Sequence, residues 1–338
     1  MSPERLWYGR SALARLASAL LAPLGWLYCA IAELRALAYR RGWLDSEAVG
    51  VPVIVVGNLT VGGTGKTPLV LWLVEHLAGR GHRPGVVLRG YGADWHAEPR
   101  AVAPDADPFV FGDEPVLIAA RRLCPVVIGR DRVAAARLLA VHYGCDLVVA
   151  DDGLQHYRLR RDCEILVIDG RRRVGNGRCL PAGPLREPPA RAERADLTIV
   201  NGGSASDAAR MRLLPGDAVN LYHAGLHRPL AEFVGGQVTA VAGIGNPSRF
   251  FEMLRGLGLT LEARPYSDHH RYAPAEIARW PAGTVLMTEK DAVKCRPVAG
   301  PDHWYVPVRA QPDAGFVAAL DALVDRISKA GRTSAGAC

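Results

Sequence analysis

The stretch Val53 to Pro68, VIVVGNLTVGGTGKTP, runs from a short apolar strand into a glycine-rich loop that ends on Lys66 and Thr67. Gly62, Gly63 and Gly65 reach backbone angles closed to other residues, so successive amide N–H groups can turn inward toward phosphate oxygens. A helix starting near Thr67 adds the positive end of its dipole. In such a loop the lysine reaches the β- and γ-phosphates and the threonine hydroxyl ligates Mg²⁺. The expected ligand is therefore ATP with Mg²⁺, and Thr60, Gly62, Gly63, Thr64, Gly65, Lys66 and Thr67 are the candidate nucleotide-binding residues. Thr60 stands where the strict P-loop pattern has glycine, and Gly57, three residues earlier, is available for part of that turn. A glycine-rich strand-to-helix turn without a ligand is the competing interpretation.

Outward from the loop, apolar β-branched runs recur at Val53 to Val56, Val86 to Leu88, Val126 to Ile128, Leu147 to Val149, Ile165 to Ile168 and Leu197 to Val200. Helical patterns such as Leu69 to Ala78 and Asp131 to Tyr143 fall between them. This alternation predicts an α/β fold of the P-loop NTPase type, a parallel sheet flanked by helices, with ligands gathered beyond the carboxyl ends of the strands. Gly57, Arg89, Gly129, Asp151, Asp169 and Asn201 fall on that rim. A second series, with a strand from Val238 to Ala242, a helix from Ser248 to Leu257 and a strand from Thr284 to Met287, predicts a smaller C-terminal α/β lobe. The expected organisation is a helical segment over 1–45, a kinase-like domain over 46–205, a linker or ribbon over 206–236, the smaller lobe over 237–328 and a flexible tail over 329–338.

With 338 residues, 49% hydrophobic and 22% charged, the chain has the composition of a folded protein of two lobes. Its net charge of +7, carried largely by arginine, favours an anionic partner. Nucleic acid is set aside, since the chain has neither zinc-finger spacing nor an RNP-like motif; a phosphorylated lipid or an anionic membrane fits the charge. Seven cysteines, at 29, 124, 145, 163, 179, 295 and 338, form no CxxC pair, which disfavours zinc and fits reduced thiols in a cytosolic protein.

From Leu16 to Ala32, LASALLAPLGWLYCAIA carries no charge and is flanked by Arg10, Arg15, Arg35, Arg40 and Arg41. About 17 residues is the lower limit for crossing a bilayer, and Pro23 with Gly25 interrupts a straight span. A helix lying in one leaflet, with Trp26, Tyr39 and Trp43 at headgroup level, is the expectation. A signal peptide cleaved after Ala32 and a buried core helix are the alternatives.

Leu147 to Ala150 runs into Asp151 and Asp152, then Gly153-Leu154-Gln155-His156. One carboxylate at the end of a buried strand beside such a glycine-rich loop is placed to hold Mg²⁺, directly or through water, with Thr67 supplying another oxygen. The second, Asp152, is available to orient water or to cap the turn. Thr67, Asp151 and Asp152 are the candidate metal ligands, the two aspartates as the acidic pair that the family resemblance given below implies. Transfer of a phosphoryl group to a hydroxyl also calls for a proton acceptor. Candidates lie in Gly112-Asp113-Glu114-Pro115 and in Tyr266 to Tyr272, YSDHHRY, where Asp268, His269 and His270 stand together.

Taken in order, VGNLTVGGTGKTP, LRGYG, GDEP, DDGLQH, LPAGPLREP, SDHH and TEKD resemble the tetraacyldisaccharide 4'-kinase (lipid A 4'-kinase) family, from the N-terminal segment to about Pro307. The resemblance implies transfer of the ATP γ-phosphate to the 4'-hydroxyl of a tetraacylated glucosamine disaccharide 1-phosphate, giving lipid IVA. It implies action on a membrane-borne lipid at the cytoplasmic face of the inner membrane, and a monomer is the separate expectation. It also implies Asp113 as catalytic base with His269 as partner, the register between His269 and His270 being open, and Lys66 in catalysis. Tyr91, Arg132, Gln155 and His156 correspond to residues around nucleotide and lipid headgroup. Two other functions share the loop. One is an ATPase switch of the partitioning or metal-chaperone type, disfavoured because Val61 stands at the signature lysine position, and the other is a nucleotide-bound membrane adaptor without transfer activity.

Overall fold

The computed structural model describes residues 3–9, 11–90, 98–204, 206–223 and 225–335, with side chains through 329. Among them a nine-stranded sheet runs, edge to edge, Val308–Pro312, Arg210–Pro215, Leu197–Asn201, Cys163–Asp169, Val53–Gly57, Leu147–Asp151, Pro84–Leu88, Val126–Ile128 and Arg100–Ala101. All its pairings are parallel except at the two edges. Val53–Gly57 lies in the middle and is buried along its whole length, which is why it reads as a continuous apolar run and not as an alternation. Helix Lys66–Gly79 covers one face with Leu69, Val70, Leu73, Val74 and Leu77, and helix Arg132–Val141 covers the other with Val133, Ala135, Ala136 and Leu139.

A six-stranded sheet of His227–Arg228, Ala218–Asn220, His303–Val306, Val285–Thr288, Gln237–Ala242 and Thr260–Pro265 forms the second layer system, packed by helix Pro247–Gly256 through Phe250, Phe251 and Leu254. The molecule is thus mixed α/β with two sheets, the larger one mostly parallel.

The chain divides differently from the expected boundaries. Residues 206–236 are not a mere linker, because Arg210–Pro215 joins the large sheet whereas Ala218–Asn220 and His227–Arg228 join the small one. The C-terminal segment does not stay with the smaller lobe: Val308–Pro312 pairs antiparallel with Arg210–Pro215. The helix Ala314–Ala335 then sets Phe316, Leu320, Leu323, Val324 and Ile327, spaced by three and four, into the large core. It therefore continues past 329, where a frayed tail was expected. His76 and Arg80 fix it through Asp321 at 2.7 and 2.8 Å. The two crossings between lobes run side by side, with Gly216 N donating to Pro307 O at 2.9 Å.

At the N-terminus, helices Ala12–Leu20 and Ala22–Arg40 meet at a 55° bend. Small residues face inward: Ala14, Ala22, Gly25 and Ala36 are buried, and a Cβ on Gly25 would lie 3.0 Å from the Ala182 methyl. Large ones face outward, with Leu13, Leu16, Leu20, Leu24, Trp26, Leu27, Ile31 and Leu34 all more than half exposed. The buried core helix considered above is thereby set aside. Among the described residues no single helix is long and apolar enough to cross a membrane, although the bent pair together passes by length and composition.

Candidate active site

A cleft of about 1590 Å³ opens at the carboxyl ends of the large sheet's strands and is closed on the far side by the smaller lobe. The glycine-rich loop forms its floor. Asn58 directs its amide to Thr60 O at 2.7 Å and accepts from Lys66 Nζ at 3.0 Å, so one side chain both shapes the loop and aims the lysine. Asn201, at the end of a strand two places away in the sheet, donates to Thr64 O at 2.9 Å. Gly65, with φ of 93°, is the residue that passes this point: a Cβ there would sit 2.3 Å from Asn201 Nδ2. Val61 through Pro68 line the cleft, whereas Thr60 is buried, bridged to Leu185, and stands outside the lining. The extra bulk at that position therefore meets protein and not ligand space.

Helix Lys66–Gly79 starts at the cleft, so its first amides point into it. Asp151, at the end of its strand, brings Oδ2 to 3.5 Å from the Thr67 hydroxyl, while its Oδ1 is buried without a hydrogen-bond partner among the described residues, as is the Thr64 hydroxyl. Burial, then the neighbouring Glu114, push the Asp151 carboxyl well above the ordinary carboxylate range, against the pull of Lys66. An unpartnered carboxylate oxygen beside a hydroxyl fits a hard cation that takes its remaining ligands from phosphate and water. Among the described residues no group of three or more His, Cys, Asp or Glu forms a cage for a metal by itself.

Asp152 behaves differently from its neighbour. Its oxygens face Arg186 at 2.9 and 3.0 Å, and Lys66 stands 3.4 Å away. Burial works to raise its pKa, but Lys66 and Arg186 outweigh it and hold the group below the usual range. Expected as a second metal ligand, it faces Lys66 and Arg186, the two cations beside the glycine-rich loop.

Arg132 is buried and donates to Asp151 O at 2.8 Å. Gln155 bridges Asn58 O and Glu187, and Arg35 from the N-terminal helix reaches Gln155 O at 3.4 Å. His156 lines the cleft; burial, helped by Arg132, Arg161 and Arg35, lowers its pKa to about 4, so it is neutral near pH 7. Tyr91 lies outside the described residues.

At the opposite wall, Asp113 opens helix Asp113–Ala120, where the dipole favours a negative charge. It is 5% exposed, and both its oxygens lie 3.0 Å from His269 Nδ1. Burial alone would raise the Asp113 pKa, but the His269 hydrogen bond, Lys290 and Lys294 bring it down to about 2. His269 adopts a left-handed backbone with φ of 58°, turning its ring back toward Asp113. His270 turns the other way, to Glu276 at 3.0 Å and onto the face of Tyr266. Of the two histidines only His269 meets Asp113. His269, Glu114 and Lys290 line the same cleft as the glycine-rich loop.

Sequence reasoning assigned no role to Asn58, Arg186, Glu187, Lys290 or Lys294. Arg186, Glu187 and Lys290 lay inside quoted motifs, LPAGPLREP and TEKD, but nothing in their spacing told that they converge on the loop and on Asp113.

The two lobes touch directly over the glycine-rich loop. Gly245, in the turn after strand Gln237–Ala242, packs so closely that a Cβ there would lie 2.4 Å from Gly63 N. Arg172 holds that turn through Gly245 O at 3.0 Å, and Arg249 reaches the buried Asp169 carboxylate at 2.7 Å.

Comparison with known proteins places this geometry. The chain is 46% identical over 310 residues to the tetraacyldisaccharide 4'-kinase of Nitrosococcus oceani, covering 92% of this chain and 91% of that one. It is 48% identical over 316 residues to the protein of the same name from Alkalilimnicola ehrlichii, covering 91% and 92%. Among solved structures it resembles the "apo" form of LpxK from Aquifex aeolicus in complex with ATP, with a TM-score of 0.74 and 27% identity over 92% of this chain and 99% of that one. The family model of the tetraacyldisaccharide-1-P 4'-kinases matches residues 17–325, a span that holds the glycine-rich loop, the Asp151 strand and both walls of the cleft, and the chain belongs to that family.

Proposed function

We propose that the protein transfers the γ-phosphoryl group of ATP to the 4'-hydroxyl of a tetraacylated glucosamine disaccharide 1-phosphate, yielding lipid IVA and ADP. The observation that carries this is a single cleft lined at one wall by the glycine-rich loop and at the other by His269, whose ring is bonded to the Asp113 carboxylate.

The glycine-rich loop acts as a P-loop, in which the inward amides, Lys66 and the helix start hold the triphosphate and offset charge on its terminal oxygens. Thr67 and Asp151 would hold Mg²⁺, which when bound neutralises charge on the phosphate oxygens. Asp113 accepts the proton of the 4'-hydroxyl as that oxygen bonds to phosphorus and the bond from phosphorus to the bridging oxygen of ADP breaks. In a loose transition state the proton leaves late, when the alcohol oxygen is already acidic, so a carboxylate of low pKa is a competent acceptor. His269 orients it. Arg132, Gln155 and His156 line the path between nucleotide and acceptor. Contact of the Gly245 turn with the loop excludes water that would otherwise take the phosphoryl group.

The outward apolar face of the N-terminal helices, backed by a net charge of +7, suits a protein lying on the cytoplasmic face of an anionic bilayer with its cleft open to a lipid. Tyr28 and Arg35 belong both to that helix and to the cleft lining, which joins the two surfaces. Leu20→Glu combined with Trp26→Glu should release the protein from anionic vesicles in a flotation assay; unchanged flotation would remove the membrane-lying helix from the proposal. Incubation of the protein with labelled ATP and the disaccharide acceptor in mixed micelles tests the reaction. Label in the lipid fraction is expected; release of inorganic phosphate alone would favour an ATPase switch, and ATP binding without turnover an adaptor.

A further inference from the structure

The TEKD segment, Thr288 to Asp291, is left without a role by the reaction as derived above. Its Lys290 side chain is only 14% exposed, and the ammonium stands 3.0 Å from Glu114 Oε1, 3.2 Å from Asp268 Oδ1, 3.9 Å from Asp113 Oδ2 and 3.5 Å from His269 Nε2. An ammonium group has three donors and no acceptor, so His269 Nε2 can face it favourably only with its lone pair. A proton on Nε2 would point N–H at a cation. In the neutral ring the single proton then belongs on Nδ1, the atom that lies 3.0 Å from both Asp113 oxygens.

We propose that Lys290 is a positioning residue that fixes His269 as the Nδ1–H tautomer, so that the imidazole donates to Asp113 and leaves that carboxylate as the proton acceptor. This rests on Asp113 and His269 being the catalytic pair.

The surrounding charges show why a cation is needed at this point. Asp113 and Glu114 come from helix Asp113–Ala120, Asp268 from the loop of His269 itself, and Lys290, Asp291 and Lys294 from helix Glu289–Cys295. Asp268 Oδ1 lies 3.8 Å from Nε2 and favours a proton there, but Lys290 engages the same oxygen more closely. Without Lys290, carboxylates would flank the ring at both nitrogens and draw a second proton onto it. Lys294 does not replace it, since that ammonium is paired with Asp291 at 3.0 Å and stands 3.7 Å from Asp113 Oδ2, whereas the ammonium recorded against Nε2 is that of Lys290. Burial is the largest influence on His269 and disfavours the imidazolium, and Lys290 works with it, but the hydrogen bond and charge of Asp113 together with the charge of Asp268 outweigh both and raise the pKa. Because Glu114 and Asp113 belong to one lobe and Asp268 and His269 to the other, the tautomer is set where the lobes meet.

Ring ¹⁵N spectra of full-length protein labelled at histidine, in detergent micelles and assigned with His269→Gln, read the tautomer directly. The wild type should show the Nδ1–H form above its titration. In Lys290→Met the His269 signal should titrate at higher pH and lose its tautomer preference, whereas Lys290→Arg, which keeps the cation, should retain it. Turnover by Lys290→Met should fall roughly tenfold near pH 7 with the KM for ATP almost unchanged, and its acid limb should move to higher pH, as expected when an acid–base pair is misoriented but the nucleotide site is intact. An Nε2–H signal in the wild type would overturn the proposal whatever the variants do. So would an unaltered His269 tautomer and titration in a Lys290→Met protein that still binds ATP; if that variant does not fold, loss of the Nδ1–H form in Lys290→Arg would count equally against it. Should Asp113→Asn turn over normally, the catalytic pair fails while the tautomer measurement stands.

Discussion

The two walls of the cleft are built in opposite ways. The glycine-loop wall draws its loop, its lysine and its threonine from one contiguous segment, with Asn58 aiming Lys66 from eight residues away. The opposite wall joins Asp113 to His269 across 156 residues, from helix Asp113–Ala120 on the large sheet to a loop of the smaller lobe. A contiguous site is fixed by backbone conformation, so it forms with its own strand and helix. A divided one exists only when two folded lobes are seated together, and its geometry is as good as that seating.

The largest expected effect separates the walls most sharply. Asp113→Asn should lower lipid phosphorylation by about 10²- to 10⁴-fold while ATP binding by calorimetry stays near wild type, because the proposed proton acceptor is lost and the glycine-loop wall is untouched. Turnover within a few-fold of wild type would remove Asp113 as base. Lys66→Met should cost roughly 10²- to 10³-fold in turnover and also weaken ATP binding, since the lost charge serves both ground state and transition state. If ATP affinity were unchanged, the lysine would be acting on the transition state alone.

Gly245→Ala tests the contact between the walls. Its Cβ would meet Gly63 N at 2.4 Å, so the lobes must part or the loop must shift, and the KM for ATP should rise about tenfold. An unaffected KM would mean that the loop does not depend on the turn above it.

The smallest effect concerns pH and stability. His269 has a pKa raised from its ordinary 6.5, mainly by the Asp113 bond acting against burial. The stability it contributes is fully present below 6.5 and fades as pH rises through the folded value. The difference in Tm between wild type and His269→Gln should therefore narrow from pH 6 toward pH 9. Asp113, lowered from 3.8 to about 2, loses its contribution only as pH falls through that interval, so it does not shape the same window. A Tm difference independent of pH would indicate a packing role for His269 alone.

Much of the large sheet was legible because its central strands are buried on both faces and announce themselves as apolar runs between helices. The ends of the chain were not. Val308–Pro312 has polar residues and lies at a sheet edge, where one neighbour is enough, and its partner Arg210–Pro215 sits in a stretch rich in turn formers. Neither carries a periodic signal strong enough to show that the C-terminus returns to the first lobe. In the site, GGTGKT spoke for itself, but Asp152 could not be told from Asp151 by spacing. Arg186, 34 residues on, decides that one faces cations while the other keeps an unpartnered oxygen.

By itself the sequence determined the glycine-rich loop between strand and helix, the strand that delivers Asp151 and an apolar N-terminal face, since each depends on neighbours within one or two turns of chain. Only the tertiary structure decided that His269 and not His270 meets Asp113, that Asp152 faces Lys66 and Arg186, and that Lys290 faces His269 Nε2. Those outcomes turn on a left-handed backbone at one residue and on carboxylates brought from distant segments, and such encounters leave no periodicity in the chain.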